Sequence, residues 1–172
     1  MYTGFEDELE LSGNRKVYIR KVNETDGNNI KVFFNSLSEN SRRLFRPHLC
    51  TDEVIKQHIN KVVNGEDWSY LAFDGEKAIA YFFLWGVKKT VPLLGIGIMD
   101  EWQGFKLGGK LMDILIEDAR MLGREGIELT TMLDNDKAFN VYLKKGFKFI
   151  DIVDNISDNG EVIKERRMIL SF

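Results

Sequence analysis

Residues 94–111 constrain this chain more than any other stretch: Leu94-Gly95-Ile96-Gly97-Ile98-Met99-Asp100-Glu101-Trp102-Gln103-Gly104-Phe105-Lys106-Leu107-Gly108-Gly109-Lys110-Leu111. An apolar run with strand character gives way to a tight glycine-rich turn and then to the first turn of an amphipathic helix. A strand feeding a helix through so short a turn presents unpaired backbone N–H groups and the positive end of a helix dipole at one point. That arrangement suits a phosphate. The turn is not a Walker loop, since no Gly-Lys-Ser/Thr closes it, and Gly104, Gly108 and Gly109 lack the spacing of the dinucleotide fingerprint. Gly95 and Gly97 in the preceding strand favour a bulge or the close approach of a ligand. Taken alone, the pattern is equally compatible with glycines that let a helix pack closely.

The other residues predict a frame around this turn. Residues 1–15 are polar and aperiodic and predict a loose arm, with Phe5 and Leu9 available to dock it, ahead of a folded domain over 16–172. Residues 17–22 predict a strand. Thr25 or Asp26 caps a helix running to Leu37, with Ile30, Phe33, Phe34 and Leu37 on one face. A basic and aromatic loop at 38–48 follows, and Thr51 opens a helix carrying Val54, Ile55, Ile59, Val62 and Val63, closed by Asn64-Gly65. Residues 68–73 and 77–85 flank Asp74-Gly75 as a hairpin, and Pro92 suits the entry to a strand at 93–99. The helix after the glycine-rich turn spans about 107–122, buries Leu111, Ile114, Leu115, Ala119 and Leu122, and ends at Gly123. A strand at 127–132 precedes a helix at 135–145, capped by Asp134 or Asn135 and stopped at Gly146. Strands at 147–153 and 161–170 close the chain as a hairpin across Asp158-Asn159-Gly160. This order predicts an α/β (α+β) fold, a single domain whose mixed, mostly antiparallel central sheet is flanked by helices, with one right-handed parallel crossover at 93–132.

Composition limits what surrounds such a turn. The 172 residues suffice for one domain, and 24 Lys and Arg against 27 Asp and Glu leave a net charge of −3. That balance argues against a nucleic-acid-binding surface, while a local basic pocket stays compatible with it. Cys50 is the single cysteine, so no internal disulfide or cysteine metal cluster can form, and two histidines without ligand spacing predict no metal site. The acidic residues 1–8 do not read as a signal peptide, and no apolar run approaches the ~20 residues of a membrane span. A cytoplasmic protein with no membrane partner is expected.

Asn135, Ala138 and Tyr142, spaced i, i+3 and i+7, share a face of the later helix just ahead of Gly146-Phe147. Together with the glycine-rich turn, they make the chain resemble the GNAT superfamily of N-acetyltransferases, which use acetyl-coenzyme A. The family's central motif, Arg or Gln, two residues, Gly, one residue, Gly or Ala, appears as Gln103-Gly104-Phe105-Lys106-Leu107-Gly108. The likeness spans about residues 16–170 and implies the GNAT-like sheet and helices. It implies that the backbone of Ile96, Gly97 and Ile98 bonds the pantetheine arm as an added strand would. It further implies that the N–H groups of Gly104, Phe105, Lys106, Leu107, Gly108 and Gly109, with the Gln103 side chain, hold the pyrophosphate, aided by Lys106 and Lys110. Asn135, Ala138 and Tyr142 would line the cofactor arm.

The mechanism implied is direct attack by a neutral primary amine on the thioester carbonyl. A backbone N–H near Ile98 would stabilise the oxyanion, and Tyr142 would protonate the leaving thiolate. Glu101 through water, or His48 in the loop bordering the acceptor site, is the candidate base. The chain departs from the family in two places: Lys106 stands where the first motif glycine belongs, and Thr130 where some members carry a glutamate base. The acceptor, a small molecule or a protein lysine or N-terminus, is not specified by the residues. Phe45, Tyr81, Phe83 and Trp85 form either an apolar acceptor pocket or part of the core. The implied partners are acetyl-coenzyme A and an amine, with the chain a monomer or homodimer. Lys106 and Thr130 sustain an alternative reading, a catalytically weak acyl-coenzyme A-binding sensor or scaffold.

Overall fold

The computed structural model describes residues 2–157 and 159–172. In chain order the elements are β1 (Asp7–Glu10), β2 (Lys16–Lys21), α1 (Gly27–Ser36), α2 (Glu39–Leu44), α3 (Asp52–Val63), β3 (Trp68–Asp74), β4 (Lys77–Trp85) and β5 (Leu93–Ile98). They continue with α4 (Leu107–Met121), β6 (Gly126–Met132), α5 (Asp136–Lys144), β7 (Lys148–Ile156) and β8 (Val162–Ser171). The strands form one sheet in the order β1-β2-β3-β4-β5-β6-β8-β7, antiparallel throughout except between β5 and β6. This is the mixed, mostly antiparallel sheet with flanking helices that the element order predicts.

Strand β4 sets the layering. Every residue from Ala78 to Leu84 is buried, so both faces of the strand need cover. Successive side chains alternate between faces. Tyr81 meets Phe33 and Phe34 of α1, at ring-centroid distances of 6.3 and 5.9 Å. Phe82, on the other face, stacks on Tyr70, whose hydroxyl donates to Asp118 of α4. The α1/α3 pair therefore covers one face and α4 the other. Among the described residues, no helix is long and apolar enough to cross a membrane.

Three expectations are corrected. The N-terminal residues are not a loose arm. β1 pairs with β2 from Asp7 opposite Ile19 to Glu10 opposite Lys16, and the Tyr2 hydroxyl donates to the fully buried Asp118 at 2.6 Å. Its polar sequence Asp7-Glu8-Leu9-Glu10 suits an edge strand, where charge discourages further pairing. The stretch 38–48 is not all loop, because it holds α2. Ser38 caps that helix by accepting the Ser41 N–H, with Glu39 at its start and Arg42 and Arg43 at its end, as the dipole favours. The closing hairpin also runs further than expected, to Ile156 and from Val162. Within its turn, Asp158 lies outside the described residues.

The entry to α1 is fixed by Asp26, whose carboxylate is fully buried and takes both guanidinium arms of Arg20 (2.7 and 2.9 Å), the Asn23 N–H and the Asn29 amide. Burial pushes this carboxyl up, but these donors outweigh it and hold it below its ordinary value. Asp26→Ala, leaving Arg20 without its partner, is expected to cost about 3 kcal/mol in urea unfolding. Because the folded-state value is depressed, the contribution is complete above the unfolded value of about 3.9 and fades as pH falls through the folded one. Wild type should thus lose more stability than Asp26→Ala on going from pH 5 to pH 2, both roughly placed; equal losses would contradict the assignment. Lys106 is a second site of cost, with φ 63° and ψ 13° in the left-handed region. Lys106→Gly is expected to raise stability by about 1 kcal/mol, a value that a fall in the urea midpoint would contradict.

Candidate active site

The parallel pair β5 and β6 does not stay together. Its register is confined to Leu93 opposite Glu128, where the Glu128 N–H donates to the Pro92 carbonyl at 3.0 Å. Beyond that point the strands diverge toward their C-terminal ends and leave a V in the sheet. On the other side β5 is fully laddered to β4, and the Met99 N–H bonds the Ile79 carbonyl in the same register. Antiparallel ladders alternate, so the residues in step with Met99, namely Gly97 and Gly95, bond β4. The N–H and C=O groups of Ile96 and Ile98 therefore point into the V. Gly97, in the middle of this expected trio, presents its backbone to β4 rather than to the gap.

At the end of β5 a short 3₁₀ turn, Asp100–Trp102, buries Trp102 and leads to Gln103 and the glycine-rich loop. The Trp102 and Gln103 N–H groups bond the Met99 and Asp100 carbonyls, and the first helical bond of α4 runs from the Lys110 N–H to Lys106. Between them, the N–H groups of Gly104, Phe105, Lys106, Leu107, Gly108 and Gly109 meet no acceptor among the described residues. Lys106 in left-handed geometry makes this run possible, taking the backbone shape that a glycine at this motif position would take without strain. Leu107, buried to 1%, anchors the loop in the core, and Ile98 packs 3.4 Å from where a Cβ on Gly108 would lie.

Gln103 behaves differently from expectation. Its side-chain amide donates to the Ile98 carbonyl at 3.1 Å and to the Ser41 hydroxyl at 3.4 Å, so both hydrogens are engaged within the protein. It braces the strand-to-loop corner. The sequence reading also missed two loop contacts from the N-terminal turn: Ser12 donates to the Phe105 carbonyl, and the Arg15 guanidinium lies 4.1 Å from the Phe105 ring. Neither carries a local signal, because each depends on a contact about ninety positions along the chain.

Helix α5 supplies the opposite wall. Asn135 caps it, its carbonyl oxygen accepting the Ala138 N–H at 3.3 Å. Lys145, just past its end, reaches α4, with Nζ 2.6 Å from Asp113 and its stem 3.7 Å from a Cβ placed on Gly109. Tyr142 lies in the last turn of α5, three residues before Lys145. Its ring rests against Phe147 at 5.8 Å, its hydroxyl has no hydrogen-bond partner among the described residues, and burial pushes its pKa up to about 12. The phenol is therefore protonated throughout the neutral range.

The two candidate bases fall in different settings. Glu101 is exposed and paired with Lys77 at 2.9 Å. His48 is packed among rings, 4.2 Å from His58 and 5.2 Å from Phe34, both centroid to centroid. Its Nδ1 lies 2.7 Å from the Leu49 carbonyl, which can only accept, so Nδ1 carries the proton and Nε2 keeps a bare lone pair. That Nε2 is buried without a partner, and burial lowers the His48 pKa. Phe45, Tyr81, Phe83 and Trp85 join this aromatic group. Tyr81 and Phe83 are core, while Phe45 and Trp85 are partly exposed beside it. Thr130, opposite Arg167 on β8, brings no carboxylate to its own position, and the carboxylate that β6 does carry is Glu128, beside Leu93 where β5 and β6 still pair.

Known proteins give the same picture. The acetyltransferase (GNAT) family matches residues 34–147. Among solved structures, the ribosomal-protein-S5-alanine acetyltransferase from Vibrio fischeri superposes with a TM-score of 0.78 at 15% identity, covering 95% of this chain and 96% of that one. A GNAT-family acetyltransferase from Streptococcus pneumoniae gives 0.73 at 21% identity, over 91% and 99% of the two chains. The spermidine N-acetyltransferase from Vibrio cholerae, in complex with CoA and spermine, gives 0.72 at 19% identity, over 90% and 95%. No curated protein matches the sequence. With the family match extending over more than half its length, and a divergent strand pair opening beside a glycine-rich helix start, this chain belongs to the GNAT family of N-acetyltransferases.

Proposed function

We propose that the protein transfers the acetyl group of acetyl-coenzyme A to a primary amine by direct attack, within the V between β5 and β6. The observation that carries this reading is the set of unspent backbone donors on the V, Ile96 and Ile98 along β5 and Gly104 to Gly109 at the start of α4. An extended amide-bearing arm fits the first set as an added strand, and a pyrophosphate fits the second at the positive end of the α4 dipole. Lys106 and Lys110 add positive charge to the loop. Acetyl-coenzyme A would bring the activated acyl group as its thioester.

The chain's own residues divide the remaining work. His48, neutral with its lone pair on Nε2, takes the proton that makes the amine nucleophilic. The Ile98 N–H, turned into the V, is placed to stabilise the oxyanion, while the Ile98 carbonyl is occupied by Gln103. Tyr142 gives its proton to the sulfur as the C–S bond of the tetrahedral adduct breaks, and the proton that the acylated nitrogen sheds returns to the phenolate. His48 is favoured over Glu101 because the glutamate is exposed and already paired. That the similar structures include enzymes named for spermidine and for a protein alanine supports an amine acceptor without choosing its size.

Thermal shift should show stabilisation by coenzyme A and none by ATP at the same concentration. A thiol-release screen over polyamines, amino sugars, amino acids and lysine peptides should then find turnover. Binding without any turnover would favour the sensor reading. Tyr142→Phe is expected to lower kcat about 100-fold, as loss of a general acid does, with coenzyme A affinity kept; unchanged kcat would remove Tyr142 from the chemistry. Since burial depresses the His48 pKa, kcat/KM should stay on its plateau at neutral pH and fall only below the ordinary histidine value of about 6.5. His48→Gln should lower the plateau and abolish that acidic limb, and an intact limb would assign it to another group.

A further inference from the structure

Helix α2 lies across the wide end of the V. β5 and β6 run parallel and pair only near their starts, so Ile98 and Met132 stand at the open side. α2 is fastened just beyond both strands. Past β5, Asp100 accepts the Ser38 N–H at 3.1 Å and the hydroxyls of Ser38 and Ser41, each at 2.7 Å. Past β6, the Arg43 guanidinium meets Asp134 at 3.0 Å and the Met132 sulfur at 3.6 Å. The chain leaving α2 then lays the Phe45 ring directly on Gly97, where a Cβ would come within 2.2 Å of it, and carries His48 three residues later.

The two fastenings differ in kind. Both are solvent-exposed, but Arg43 and Asp134 form one ion pair, which solvent screens, whereas Asp100 collects several donors. Asp100 is a three-bond node, and its donor Ser41 also accepts from Gln103 at 3.4 Å. Gln103 in turn holds the Ile98 carbonyl and stands at the head of the free N–H run. One carboxylate thus joins the helix over the mouth to the loop beneath it.

We propose that Asp100 is a positioning residue for the reaction: by gripping Ser38 and Ser41 it ties α2, and with it Phe45 and His48, to Gln103 and the cofactor loop. Loading of the loop then sets the wall against which the amine docks. This rests on the use of the loop argued above.

Amide hydrogen exchange over residues 38–46 of the full chain, with and without coenzyme A, tests it. In wild type, coenzyme A should slow exchange there about tenfold. Asp100→Asn should bind coenzyme A within about threefold of wild type yet lose most of that protection, and Asp134→Asn should keep it. Ser41→Ala provides the same test should Asp100→Asn fold poorly. With the amine turned over fastest in the screen, both Asp100→Asn and Ser41→Ala should raise the amine KM about tenfold while the acetyl-coenzyme A KM moves less than about twofold. Wild-type exchange indifferent to coenzyme A, or variants that keep the full response, would overturn the proposal. Coenzyme A binding without an α2 response sinks this inference alone, whereas no coenzyme A binding sinks the reading of the site as well.

Discussion

The separation of β5 from β6 is the constraint from which the rest of the site follows. Inside a sheet, every strand N–H and C=O is committed to a neighbour, and a ligand can reach only side chains. Here one strand is laddered on its β4 side and released on the other after a single register pair. That leaves main-chain donors facing a gap within an otherwise continuous sheet. The same divergence places the start of α4, which follows β5, and the start of α5, which follows β6, on the two sides of one opening. A backbone cradle of this kind tolerates side-chain changes, which is how Lys106 can stand at a glycine position without destroying it.

The walls of the opening are built with unequal rigidity. The β3/β4 side is core, with Tyr70, Leu71, Ala72, Ile79, Ala80 and Phe82 all fully buried. α5, by contrast, buries none of its residues completely, and α2 is a six-residue helix held through its ends. Elements with little buried surface are the ones free to respond to a ligand, because their local opening costs less than global unfolding. The apolar side chains of α5, Phe139 and Tyr142, are only partly buried against the core. The site is thus a rigid floor with two adjustable sides.

Much of this was legible in the sequence because it is encoded locally. The Asp74-Gly75 hairpin, the Thr51 and Asn135 caps and the apolar stripe of α4 depend on residues within a turn or two of each other, and each is found where those residues put it. The motif around Gln103 follows β5, and the Asn135–Tyr142 segment follows β6. What escaped was encoded across distance. α2 is too short for a periodic signal, and Ser38 and Ser41 are held by a carboxylate about sixty positions away. β1 has no alternating apolar pattern and is defined by its pairing with β2 and by the Tyr2–Asp118 bond. The inward turn of Gln103 is of the same kind, since the motif fixes its place in the chain and the Ser41 hydroxyl helps to fix where its amide goes.

Titration of isotopically labelled protein with coenzyme A, read at individual backbone amides, tests the central claim most directly. The account predicts that the amide signals of Ile96, Ile98 and Gly104 to Gly109 move together and saturably, while those of Gly95 and Gly97, committed to β4, move far less. Binding that leaves the Ile96, Ile98 and loop amides unmoved, or shifts centred on another face of the protein, would contradict it.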